Sequence, residues 1–142
     1  VLNNKIIGAG IHNVDFNKHT HAHLFRAAQD GIAFALRYGL DIMRENGMNP
    51  KVIRASKANM FLSEVFTQTF ANVNNAAVEF YDGDGSYGAA IGAGIGSGIF
   101  SDGAAASKNR KPLETVQPQH TDLYNELYED WKELLQRILI DK

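Results

Sequence analysis

Two short apolar runs, "KVIRAS" at 51–56 and "AAVEFY" at 76–81, enclose the segment "NMFLSEVFTQTFAN", and this spacing constrains the fold more than any other feature of the chain. The enclosed segment carries Phe61, Leu62, Val65, Phe66, Thr69 and Phe70 on one helical face, which predicts a helix over 59–72. Strand, helix and strand within about 30 residues form a βαβ unit. Its two strands must run parallel, because a crossover of that length replaces the tight turn that an antiparallel pair would use. The expected class is therefore α/β.

Long helices flank this unit. Thr20 caps a predicted helix reaching about residue 46, in which Leu24, Ala28, Ile32, Leu36, Leu40 and Met43 recur at helical spacing before Gly47 closes it. At about 1.5 Å per residue that helix is roughly 40 Å long. Residues 5–14 ahead of it read as a strand interrupted by glycine. A further helix is predicted over 86–100, then a polar loop over 101–119. A terminal helix follows over 121–140, with Thr121 as cap and an apolar stripe of Leu123, Leu127, Trp131, Leu134 and Ile138.

Composition excludes several classes of partner. The net charge of -2 gives no electrostatic footprint for nucleic acid or for an anionic membrane surface. The weakly polar run 85–100 is shorter than the roughly 20 residues of a membrane span. The absence of cysteine fits a reducing cytoplasm, the expected location. The chain opens inside an apolar run without an initiating Met, and is expected to be a fragment of a longer protein.

Residues 79–100, "EFYDGDGSYGAAIGAGIGSGIF", hold seven glycines. Gly83, Gly85 and Gly88 spell G-x-G-x-x-G, but they follow the second strand of the βαβ unit, and Asp82 and Asp84 set negative charge where a pyrophosphate would approach. Asp82, Asp84 and Ser86 also begin like a calcium loop; Tyr87 and Ala93 then occupy positions that such a loop gives to glycine and to a bidentate acid. Inside the predicted helix, Gly88, Gly92 and Gly96 form one stripe and Ala90, Gly94 and Gly98 another. Each interior glycine costs about 1 kcal/mol relative to alanine. Such a helix serves either tight packing within the domain or a close contact with another domain. His19 and His23 stand at i and i+4, a metal-compatible spacing, but no third ligand is apparent, and a place at the helix start accounts for both. No Ser-His-Asp pattern, Walker string or acid/base carboxylate pair is visible.

Three strings in this order resemble the C-terminal part of the FGGY carbohydrate kinases, nearest to their xylulose kinase branch. They are "HTHAHLFRAAQDGIAFALRYGLDIM", "VIRASKANMFLSEVFTQTFAN" and "GDGSYGAAIGAGIGSGIF". The resemblance implies that 1–142 is part of a ribonuclease-H-like C-terminal domain of the actin and hexokinase type, with the adenosine motif at about 52–72, an interdomain helix at about 86–100 and a C-terminal helix at about 121–140. It implies an ATP-dependent kinase converting D-xylulose to D-xylulose 5-phosphate. ATP and Mg²⁺ would be bound mainly by, or together with, a missing N-terminal part that also supplies the catalytic aspartate, so the fragment alone would be inactive.

By position in the motifs, the resemblance places Ala55, Ser56 and Lys57 in the turn beside the nucleotide and Asn59 near the adenine. It places Gly88, Ala89 and Gly92 in the contact between domains. The turn departs from the family's glycines, and Gln29 stands where an aliphatic residue is expected. The expected partners are a small-molecule sugar, ATP and the missing domain; the bare glycine stripe also allows a homodimer. A sister kinase for glycerol, gluconate or ribulose, and a non-catalytic relative acting as an interaction module, stay open as alternatives.

Overall fold

The computed structural model describes residues 6–83, 85–108 and 110–140. Asp84, one of the two acids weighed above, lies outside the described residues. The elements are α1 (His21–Glu45), β1 (Val52–Ser56), a 3-10 turn (Asn59–Leu62), α2 (Glu64–Asn74), β2 (Ala77–Tyr81), α3 (Gly85–Gly96), α4 (Gly103–Ser107), β3 (Glu114–Val116) and α5 (Thr121–Ile140).

The βαβ unit is present: β1 and β2 pair in parallel from Val52 opposite Ala77 to Ser56 opposite Tyr81. The region expected to be an irregular loop holds α4 and β3, and β3 pairs antiparallel with β2, giving the sheet order β1-β2-β3. Ile53 and Ala55, with Val78 and Phe80, face α2, whose Phe66, Phe70, Ala71 and Val73 complete the core. On the far side of α2 lie α1 and α5, so α2 is sandwiched between the sheet and two helices. Asn75, at φ 47, ends α2 in the left-handed conformation that asparagine tolerates, and the chain turns into β2.

Two predicted stripes are buried only in part: on α5 Trp131, a stripe residue, packs against the core, while other stripe residues stay exposed. On α1 the buried side is Ala33 and Phe34, while Ile32, Leu36 and Met43 are 43%, 50% and 43% exposed. The packed side is rich in charge. Arg26 donates to Thr69 Oγ1 at 3.0 Å and Tyr124 Oη at 2.7 Å, Arg37 to the Val73 carbonyl and Asn125 Oδ1 at 2.6 Å, and Arg44 to the Asn74 carbonyl at 2.6 Å. On α5 the buried residues are Tyr128 and Leu135, and Leu123 and Leu127 are exposed. Three tyrosine and tryptophan contacts explain that choice: Tyr128 and Trp131 stack at 6.0 Å, and Phe34 meets both rings. Similarly, Leu62 and Val65 leave the buried face of α2 because the 3-10 turn resets the helical phase ahead of the Ser63 cap. Residues 6–14 form no strand; Gly8 and Asn13 take positive φ, and Ile6 and Ile11 are exposed.

Buried Tyr128 donates to Asp41 Oδ2 at 2.8 Å. Burial, reinforced by this bond and the Asp41 charge, pushes its phenol well above the ordinary tyrosine range. Because the folded pKa lies above the unfolded one, the folded state retains a proton that the unfolded chain loses, and stability falls as pH rises from about 10. Urea midpoints measured between pH 8 and 11 are expected to drop at the alkaline end. Tyr128→Phe should flatten that decline; an unchanged slope would show that another group causes it.

Candidate functional site

Because β1 and β2 are parallel, Ser56 and Tyr81 end them on the same edge of the sheet. In open α/β sheets ligands bind outside the carboxyl ends of strands. Two cavities open there. The larger, of about 390 Å³, lies between α1 and the turn after β1 and is lined by Ile32, Leu36, Ser56, Asn59, Met60 and Phe61, among others. Its neighbour, of about 200 Å³, lies between the strand ends and α3, with Arg54, Tyr81, Asp82, Tyr87 and Arg110 in its wall. Ala55 and Ser56 line both.

The structure thus brings three of the four residues expected beside a nucleotide to one place: Ala55, Ser56 and Asn59. Asn59 adopts φ 52, which a β-branched residue would resist. It does not cap α2, because the 3-10 turn intervenes and Ser63 accepts from Phe66 N at 3.2 Å instead. Lys57 lines neither cavity among the described walls. Its ammonium pairs with Glu114 of β3 and lies 5.9 Å from the Phe80 ring centre, so it ties the turn to the sheet edge. Gln29 accepts from Ser63 Oγ at 3.0 Å, which accounts for a polar residue at that helical position.

Of the residues expected between domains, Gly88 lines the smaller cavity, and Gly88, Ala89 and Gly92 are all exposed. A Cβ built on Gly88 or Gly92 meets nothing within 4 Å. The helix that carries them stops at Gly96, earlier than expected, and Gly98 at φ 78 lies beyond it. Among the glycines of α3, close packing against the described residues demands glycine at Gly94, where an added Cβ would stand 2.7 Å from the Phe100 ring.

Four cavity residues had no signal of their own in the sequence. Arg54 bonds Glu79 Oε2 at 3.2 Å, and Tyr81 donates to the same oxygen at 2.7 Å. The Tyr81 bond, with Arg54 beside it, holds the Glu79 carboxyl below the usual range. Arg110 comes from the polar loop and lies 5.0 Å from the Tyr81 ring and 4.0 Å from Tyr87. The clue available was an aromatic residue ending a strand beside a basic one on its neighbour. His19 and His23 serve locally: Asp15 N donates to His19 Nδ1 at 2.9 Å, and Thr20 N to His23 Nδ1 at 3.1 Å.

Comparison with known proteins bears out the resemblance. The chain is 30% identical over 122 residues to the L-xylulose/3-keto-L-gulonate kinase of Escherichia coli, covering 82% of this chain and 24% of that protein. Its fold matches the crystal structure of xylulose kinase from Rhodospirillum rubrum with a TM-score of 0.71 and 25% identity, over 89% of this chain and 26% of that one. The chain spans about a quarter of the length of these relatives. No protein-family model matches it.

Proposed function

We propose, from the likeness of this chain to a segment of xylulose kinases, that it is the adenosine-side part of the C-terminal, ribonuclease-H-like domain of an FGGY carbohydrate kinase. The observation that carries the reading is the match of more than four-fifths of the chain to both relatives. The complete protein would transfer the γ-phosphoryl group of ATP to a hydroxyl of D-xylulose, forming D-xylulose 5-phosphate. A reaction on ATP and a free sugar places it in the cytoplasm. No helix of the described residues is long and apolar enough to cross a membrane.

Two open surfaces support a larger domain. Among the described residues β1 pairs only with β2, which leaves its other edge unpaired. Ile32 and Leu36, from the exposed stripe of α1, line the same cavity as Ala55 and Ser56 of β1. Strands added beyond that edge would extend the sheet beneath the stripe and cover it, which explains how an apolar face of α1 comes to point away from the core described above.

In this reading the apolar wall of Ile32, Leu36 and Phe61 buries the base, the small side chains of Ala55 and Ser56 admit it to the backbone, and the Asn59 amide bonds its edge. Mg²⁺ would arrive with ATP and be held mainly by, or together with, the missing N-terminal part. The catalytic aspartate belongs there too. Gly88, Ala89 and Gly92 would meet the other domain as the two close and exclude water from the phosphoryl transfer.

The test is ADP release with ATP, Mg²⁺ and a panel of D-xylulose, L-xylulose, L-ribulose, glycerol and gluconate. The complete protein is expected to prefer D-xylulose, and the 142 residues alone to show no turnover. A preference for L-xylulose, after the name of the Escherichia coli relative, would move the substrate. Turnover by the isolated chain would refute the placement of the catalytic groups, and a folded complete protein inert toward every sugar would overturn the kinase reading.

A further inference from the structure

The start of α1 is closed by two histidines that the proposed reaction does not use. Asp15 N donates to His19 Nδ1 at 2.9 Å, and Thr20 N donates to His23 Nδ1 at 3.1 Å. A backbone N–H can only donate, so each Nδ1 is the bare nitrogen of a neutral imidazole whose proton sits on Nε2. The second bond is one half of a capping box: Thr20 is the cap of α1, and His23 stands three places on, where such a box ordinarily has glutamate or glutamine. Glutamine accepts a hydrogen bond at every pH, and glutamate remains a carboxylate down to about pH 4. Histidine is the side chain that changes charge between about pH 5 and 8.

Protonation turns Nδ1 into a donor, which then faces a backbone N–H at both sites. The 2.9 Å contact between the Thr20 hydroxyl and His23 Nδ1 survives by reversing direction, but the two backbone bonds are lost. The charge also arrives in an unfavourable place. The His19 and His23 rings are 5.6 Å apart, His21 lies between them in sequence, and the first turn of α1 holds no acidic residue to offset the positive end of the helix dipole. Asp15 is the acid that would favour a charged His19, and Lys18 at 3.8 Å and the Asn17 backbone N–H at 2.9 Å already compete for it. Arg26, one turn further on, is paired with Asp30 at 2.9 Å. From α2 and α5, Thr69 and Tyr124 meet this part of the helix through their hydroxyl groups, both on Arg26.

We infer that His19 and His23 make the entry to α1 a pH-sensitive clasp, closed while both rings are neutral and opened by proton uptake, which frees residues 15–20 and frays the first turn. The closed form requires both rings neutral and the open form does not, so opening is favoured as pH falls. The bonds of Arg26 to Thr69 and Tyr124 confine the change to that turn. Neither ring lines either cavity, so the inference stands apart from the nucleotide reading.

Nuclear magnetic resonance on the 142-residue chain tests it. At about pH 7.5 the imidazole nitrogen shifts are expected to show Nδ1 bare and Nε2 protonated in both residues. On acidification to about pH 5.5, protection of the Asp15 and Thr20 amides from solvent exchange, corrected for the intrinsic rate, should fall about two- to tenfold, the worth of one hydrogen bond. The Leu113 amide, bonded to the Phe80 carbonyl at 2.7 Å, should stay protected throughout. His23→Ala should lose the Thr20 protection already at the higher pH. His19→Asn combined with His23→Gln should keep both amides protected at either pH, since a side-chain amide accepts whatever the pH, and Leu113 reports that the variant is folded. Rings protonated on Nδ1 at the higher pH, or Asp15 and Thr20 amides indifferent to acid, overturn the clasp. So does an undiminished acid response in the double variant, or loss of Leu113 protection in step with the turn, which would mark global unfolding instead.

Discussion

Phe80→Ala is expected to lower the stability of the chain by about 3–5 kcal/mol in urea denaturation, the range for truncating a fully buried phenylalanine. The side chain is fully buried on the middle strand, and the Phe61 ring meets it edge-on at 5.4 Å. Phe61 in turn contacts Phe66 at 5.4 Å and Phe70 at 5.2 Å, so the void would open at the point where the 3-10 turn, α2 and the sheet converge. Small domains have only about 5–15 kcal/mol in total. The void also adjoins the cavity wall, since Phe61 and Phe66 line the larger cavity. Leu123→Ala is the matched control: that side chain is 54% exposed, and its loss should cost less than about 0.5 kcal/mol. If the two variants lose stability equally, the assignment of the core to α2 and β2, and of Leu123 to the surface, is wrong.

That contrast also shows what the sequence could and could not reveal. The βαβ unit was legible because β1, α2 and β2 are each dominated by residues that their own neighbours bury, so periodicity and packing coincide. On α1 they diverge. Hydrophobic periodicity picked out the stripe through Ile32, Leu36 and Met43, but the helix packs through Ala33 and Phe34 together with Arg26, Arg37, Asp41 and Arg44, whose hydrogen bonds to α2 and α5 supplement the apolar contact. A pattern of polar residues says nothing about partners until the partners are known. Strand β3 was illegible for a different reason: three residues, Glu114 to Val116, carry no alternation, and their strand conformation is imposed by the open edge of β2, beginning with Leu113 N donating to the Phe80 carbonyl at 2.7 Å. Ala55, Ser56 and Asn59 could be grouped by resemblance because they lie within one short stretch of sequence, and they line one cavity. Arg54, Tyr81 and Arg110 come from separate segments that only folding unites.

The glycines of α3 yield a prediction whose sign depends on context. In the 142-residue chain, Gly88→Ala and Gly92→Ala are each expected to raise stability by up to about 1 kcal/mol, since helix propensity improves and the new methyl meets nothing within 4 Å. Gly94→Ala should do the opposite, because its methyl would stand 2.7 Å from the Phe100 ring and the ring must move. If α3 packs closely against a helix of another domain in the complete protein, the same two methyl groups would intrude where the backbones meet. Overpacking of about 1–3 kcal/mol at each position would then oppose domain closure. A loss of about a hundredfold in kcat/KM corresponds to about 2.7 kcal/mol, well within that range. Because Gly88 also lines the smaller cavity, Gly92→Ala alone is the more informative variant: stabilisation of the chain together with impairment of the proposed kinase would show that this glycine serves something other than the stability of the chain. Full activity of the proposed kinase carrying Gly88→Ala and Gly92→Ala would instead mean that α3 never meets a counterpart closely, and the helix would be glycine-rich for flexibility alone.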